Sequence, residues 1–414
     1  MKIRTFFTIC AASLIAVSTF SCGKGDWAVK IDDDVITIDE FYKYYYAQNK
    51  IMLNKSKDEI DKLITDPALK DVIKEHPTLN KTNFMDFLVS RKLLMNKAYD
   101  DKSLDEKDLE TVEELFTLQG VGTYYLIEKL KDSITVEDSE IDQFYRANRN
   151  QLKSAPMNDQ LTEYMKQQVF MHKFEQKSSE MVMDLIAEAK VVRDGFQKYM
   201  AAQSTPNKDS KKGKIDLDET AVEIDDEKIT IGQFLDYYYT QNKILSNMTK
   251  EEIDKMAADP AATEHPTLSK QKFMDFLISR KLLYKKAMDD KKIDEDELET
   301  VTELFRLQGI PTYYLMQKLK SDITITDQEI EKFYVENKKH FKGVPINEQV
   351  TMTIKQQLFM KKFEQKSSEF VMNLIAEAKV NREGFKNHLQ ALEDAAKKDA
   401  KKKDDTAGKD KAAK

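Results

Sequence analysis

FYKYYYAQNKI at residues 41–51 returns, little changed, as FLDYYYTQNKI at residues 234–244. Thr37 with Glu40, and Thr230 with Gln233, stand where a reciprocal cap opens a helix, so both stretches read as helical. At 100° per residue, Phe41, Tyr44, Tyr45 and Met52 fall on one stripe. Tyr42, Tyr46 and Leu53 fall on a second stripe, more than 90° away. Copy two keeps Phe234, Tyr237 and Tyr238 on the first and Leu235 and Tyr239 on the second. One partner does not easily cover both faces. Either the helix is buried on two sides, its hydroxyls reaching water or a partner, or the second stripe lines an apolar groove open to another polypeptide. On the latter reading Tyr42, Tyr46, Leu53, Leu235 and Tyr239 are the polypeptide-binding residues. Met52, Met85, Met95, Met181 and Met183 would suit a surface that accepts varied partners, and equally a core.

The tyrosines belong to a repeat of some 170 residues. AVKIDDDVIT at 28 matches AVEIDDEKIT at 221, FMDFLVSRKLL at 84 matches FMDFLISRKLL at 273, and FEQKSSE occurs at 174 and 363. The offset falls by four between Pro67 and His76. That period is too long for a solenoid and indicates tandem duplication of a domain. Each copy opens with a small β-hairpin. Ser56 with Glu59, and Thr249 with Glu252, cap the helix after the tyrosines. Further helices are predicted near 81–100, 105–119, 121–132, 138–150 and 157–189, with AKVVR or AKVNR as a closing strand that pairs with the opening hairpin. The expected fold is mainly α, with homologous helical domains at 26–200 and 220–389. A polar linker covers 201–219, and a disordered Lys/Asp/Ala tail covers 390–414.

Few glycines and prolines among 414 residues agree with long helices. The formal charge is −7; leader and tail each carry +2, leaving −11 on residues 22–389. An acidic body without a basic stripe argues against nucleic acid. Residues 1–21 read as an export signal, with Lys2 and Arg4 ahead of an apolar run too short to span a membrane comfortably. Ser21-Cys22-Gly23 is similar to the lipobox of bacterial lipoproteins, with Thr19 and Phe20 departing from the usual pattern. Cys22 is the expected lipidation site and membrane anchor, on the periplasmic face of the bacterial cell envelope. Only Cys10 accompanies it, so no disulfide is available to the mature domains.

No catalytic constellation is found: there is no phosphate loop, no GxSxG and no HExxH. Among the histidines only His76 and His265 correspond, each in EHPTL, where a turn residue before proline is the simple reading. Neither metal, other cofactor nor small-molecule substrate is expected.

In order, AVKIDDDVITIDEF (28–41), FMDFLVSRKLLMNKAYDDKSLDEKDLE (84–110) and LIEKLKDSITVEDSEIDQFYRANRNQL (126–152) resemble the N-terminal chaperone region of SurA-like and PrsA-like foldases. Copy two repeats it as AVEIDDEKITIGQF, FMDFLISRKLLYKKAMDDKKIDEDELE and LMQKLKSDITITDQEIEKFYVENKKHF. In those foldases a parvulin-type prolyl isomerase domain usually precedes the last helix. Here RANRNQLKSAPMNDQ and VENKKHFKGVPINEQ lead straight into it. The resemblance implies a duplicated polypeptide-holding half without the isomerase: a lipid-anchored extracytoplasmic holdase for unfolded or exported polypeptides, not an enzyme. The rivals are a scaffold lipoprotein with one defined protein partner and a degenerate prolyl isomerase.

Overall fold

The computed structural model describes residues 27–149, 159–204, 216–246, 248–338, 341 and 344–412. The chain is mainly α, with two small three-stranded antiparallel sheets. Copy one runs β1 (Trp27–Ile31), β2 (Asp34–Thr37), α1 (Ile38–Leu53), α2 (Lys57–Thr65), α3 (Lys70–Glu75), α4 (Lys81–Asp100), α5 (Glu106–Leu130), α6 (Asp138–Ala147), α7 (Asp159–Glu188), β3 (Val191–Val192) and α8 (Asp194–Ser204). Copy two runs β4 (Thr220–Ile224), β5 (Glu227–Thr230), α9 (Ile231–Ser246), α10 (Lys250–Ala257), α11 (Lys270–Asp289), α12 (Glu295–Leu319), α13 (Asp327–Glu336), α14 (Glu348–Glu377), β6 (Val380–Asn381) and α15 (Glu383–Ala412).

Local chemistry starts the helices where the sequence says. The Ser56/Glu59 and Thr249/Glu252 boxes are complete, each side chain accepting from the other residue's backbone N–H. Gln233 and Thr230 exchange the same pair of bonds at 2.9 and 3.2 Å. In the hairpins, Asp32 and Asp225 take the left-handed conformation, at φ 50° and 53°, that tight turns require.

Each closing strand is exchanged between the copies. β3 of copy one pairs with β4 of copy two through Val191↔Ile224, and β6 of copy two pairs with β1 of copy one through Ile31↔Val380. The expected closure within each copy is therefore corrected. The residues at 26–200 and 220–389 do not build two self-contained lobes. By contact the chain divides instead into one unit within Met1–Lys43 and Met372–Lys414 and another within Tyr44–Val371.

In the larger unit the exchange extends to the helices. α5 packs on α9, α11 and α12, and α4 packs on α12. Leu115, Leu118, Phe196 and Tyr199 of copy one share a core with Phe234, Tyr238, Phe273 and Leu277 of copy two. A second core joins Val121, Tyr125 and Leu130 to Leu283, Val301 and Phe305. At the α5–α12 contact Phe305 lies against Gly120, and its counterpart Phe116 lies against Gly309; any Cβ at either glycine would meet the ring. That contact also explains why the predicted helices 105–119 and 121–132 are one: Gly120 costs a helix interior about 1 kcal/mol, and the close packing it permits offsets this.

The smaller unit holds β2-β1-β6, the start of α1, the end of α14 and α15, with Phe41 and Phe385 ring centroids 4.7 Å apart. Two boundaries differ from expectation. α8 takes the first residues assigned to the linker, and α15 continues helically through the tail that reads as disordered. The tail is rich in the helix formers Ala and Lys, has no proline, and Gln390 donates to Asp394 at 3.1 Å one turn on. Among the described residues no helix is long and apolar enough to cross a membrane.

Candidate functional site

The repeated tyrosine stretch can now be read residue by residue. Tyr45 and Tyr238 are fully buried and donate to the carbonyls of Leu79 and Leu268 at 2.8 and 2.7 Å. Asn49 and Asn242, also buried, donate to the carbonyls of Thr78 and Thr267 at 3.1 and 3.0 Å. These bonds tie α1 and α9 to the EHPTL turns, where His76 Nδ1 and His265 Nδ1 accept from Leu79 N and Leu268 N. Both histidines thus serve the turn, as their position before proline suggested.

The lysine next to the end of the motif reaches the other copy. Lys50 pairs with Glu297 at 2.9 Å, and Tyr124 donates to the same carboxylate. By symmetry Lys243 pairs with Asp108 at 3.0 Å, and Tyr313 donates to Asp108 at 2.8 Å. Burial opposes the charge on Lys50, but hydrogen bonds to Glu297 and Glu128 more than offset it and raise its pKa. Tyr124 and Tyr313 are pushed up by burial and by the acid each serves. Arg91 and Arg280 repeat the theme, reaching Thr312 and Thr123 of the opposite copy at 3.4 and 3.3 Å. Burial lowers both guanidinium pKa values. These constellations bind copy to copy. Each charged group in them has a partner in the opposite copy, although the Glu297 side chain keeps 48% of its surface exposed.

The five groove residues are all half-buried. Tyr42 donates to or accepts from His388 Nε2 at 3.1 Å in the smaller unit. Tyr46 is engaged by α2, donating to Asp61 at 2.8 Å with Lys57 over its ring. Tyr239 is engaged by α10 in the same way, through Asp254 at 2.8 Å and Lys250. Leu235 and Tyr239 pack against one core, and Leu53 lies at the end of α1. Tyr46 and Tyr239 are thus engaged by the helix that follows each of them, and all three hydroxyls of the second stripe are hydrogen-bonded. Met52, placed on the first stripe, is instead exposed, because α1 is near its end there. Cys22 lies outside the described residues.

Two matched pairs of exposed methionines lie on the 30-residue helices α7 and α14. Met171 on α7 and Met360 on α14 occupy the same position in the repeat and are 51% and 46% exposed. Met183 and Met372, another matched pair, are 61% and 64% exposed. Of these only Met183 figured among the methionines picked out from the sequence. The signal that would have found the rest is duplication of methionine at positions outside the packed stripe. Each long helix is held to the short helix before it. Lys173 bonds Glu140 and the Thr135 carbonyl at 2.7 and 2.6 Å, and Lys362 bonds Glu329 and the Thr324 carbonyl at 2.6 and 2.7 Å. Glu140 is held below the usual carboxylate range by the Glu137 backbone and then Lys173; Glu329, by Lys362 and then the Thr326 backbone. Among the described residues no cluster of His, Cys, Asp and Glu could hold a metal ion. Comparisons of the chain with protein families, curated proteins and solved structures return no match.

Proposed function

We propose that the chain is a lipid-anchored extracytoplasmic holdase that binds unfolded or exported polypeptides without chemistry or cofactor. The observation that carries this reading is the matched exposure of Met171 and Met360, and of Met183 and Met372, on long helices in both copies. Flexible, polarizable methionines on an exposed helix face suit partners of varied sequence. The ordered motifs shared with SurA-like and PrsA-like chaperone regions, behind an export signal and Cys22, support the same reading. Two weak sites on one chain raise the effective concentration of one for a client held by the other. The test is suppression of aggregation of several unrelated unfolded proteins by the full chain. Suppression of none, with tight binding of one folded partner, would replace the holdase with a scaffold. Membrane fractionation of wild type and Cys22→Ser tests the anchor: the variant is expected in the soluble fraction.

A further inference from the structure

The end of the copy-two helical pair forms a small pocket. Phe333 on α13, Asn337 at its C-cap, Phe341 beyond it and Gln357 on α14 line a cavity of about 270 Å³. Tyr334 stacks on Phe341 at 5.5 Å and donates to the Val344 carbonyl at 2.6 Å, while Val344 N donates to the Phe341 carbonyl at 2.9 Å. These bonds fix the aromatic wall. Val335 on α13, and Val344 and Ile346 in the segment after it, are exposed, and Met360 is exposed one helical turn from Gln357.

We infer that this pocket takes an aromatic side chain, with its adjoining peptide amide, from an extended polypeptide. Size, charge and hydrogen bonding each select that occupant. An engineered apolar cavity of about 150 Å³ accepts benzene, so this one has room for an aromatic ring and a stretch of main chain. None of the four lining residues is charged, which leaves an ionic ligand without a counter-charge. Asn337 spends its amide N–H on the Phe333 carbonyl at 2.8 Å. Its Oδ1 and the whole Gln357 amide have no partner among the described residues. Together they offer the donor and acceptors that a peptide unit needs, beside two aromatic rings. Copy one retains the same elements: Phe144, Asn148 and Gln168 stand at the equivalent positions, and Asn148 donates to the Phe144 carbonyl at 2.9 Å. The fourth counterpart, Leu152, lies outside the described residues.

This assignment rests on the holdase reading and gives it a location distinct from the tyrosine stripe. The test uses the full chain and a fluorescein-labelled Gly/Ser peptide with one central Phe, read by anisotropy. A second peptide carries a photoreactive benzophenone in place of that ring. Cross-links are expected within 333–360. The Gln357→Ala variant, altered at an exposed position, should bind about fivefold more weakly, as loss of one neutral hydrogen bond implies, with an unchanged melting temperature. Saturable binding with cross-links only elsewhere, or with full affinity in Gln357→Ala, overturns the site and leaves the holdase reading standing. Absence of saturable binding to this peptide and to unfolded proteins overturns both.

Discussion

The same three-stranded module occurs twice, once at the chain ends and once in the middle. In the middle module β3 and β4 are joined by α8 and a short linker; at the ends β1 meets β6 only after nearly the whole chain has been laid down. The local chemistry is identical. Asp225 accepts from Lys190 N at 3.0 Å and donates its own N–H to the Lys190 carbonyl at 2.9 Å. Asp32 forms the same two bonds with Lys379, at 3.0 and 3.2 Å. Gly195 and Gly384 open the following helices against the carbonyls of Thr220 and Trp27, where a Cβ would collide with backbone. The fillings differ: Tyr42 and His388 form a polar pair in one module, whereas the corresponding Leu235 and Tyr199 belong to an apolar core in the other. Burial pushes the Tyr199 hydroxyl up to about 12. Equal contacts with unequal loop lengths mean unequal cost. Closing the longer loop from an unfolded chain costs about 2 kcal/mol more, so the end module should form last and open first.

The largest expected effect comes from separating the copies. Residues 1–200 alone carry α5 without α9, α11 and α12, leaving Leu115, Leu118 and Val121 uncovered. We expect no cooperative unfolding of a monomeric half; sedimentation and thermal circular dichroism would show either an unfolded chain or a homodimer. A stable folded monomer would break the exchange picture.

Next is the tyrosine stripe. Tyr46→Ser with Tyr239→Ser removes two half-buried rings and their bonds to Asp61 and Asp254. A loss of several kcal/mol, near the lower range for buried aromatics, is expected in chemical denaturation. Intact stability with impaired aggregation suppression would restore these residues to a client groove.

Gly195→Ala and Gly384→Ala then compare the modules directly. Each should cost about 1–3 kcal/mol through backbone displacement. Gly195→Ala should lower the main unfolding transition, while Gly384→Ala should chiefly accelerate amide exchange at Ile31 and Val380. Equal effects on the main transition would mean that the end module unfolds with the rest.

The smallest effect is in the acid response. Lys318 and Ser103 hold Asp101 at about 2, below its ordinary 3.8. A depressed folded-state value stabilises fully above the unfolded value, and that contribution fades as pH falls from about 4 toward 2. Asp101→Asn should therefore flatten the acid limb of the urea midpoint against pH and leave the neutral region slightly lower. An unaltered acid limb would remove the Asp101–Lys318 pair from the contacts that matter.

Much of this protein was legible in residues that act on their neighbours. Ser56, Thr249 and Thr230 cap helices through bonds three residues away, and the turn aspartates close hairpins within one loop. Duplication was visible because whole motifs recur in order. The pocket at the end of the copy-two helical pair was less so: Phe333, Asn337 and Gln357 are ordinary helix and cap residues until α13 and α14 are brought side by side. The sequence by itself determined helix type, hairpins, caps and the doubled plan, since each depends on short-range bonding and periodicity. Which copy completes which could only be decided in three dimensions. AKVVR and AKVNR are nearly interchangeable as closing strands, and neither names its hairpin. Within the larger unit, the pairing of β3 with β4 goes with the packing of α5 against α12, where Gly120 and Gly309 admit Phe305 and Phe116, and with the salt bridges of Lys50 and Lys243 to acids of the opposite copy.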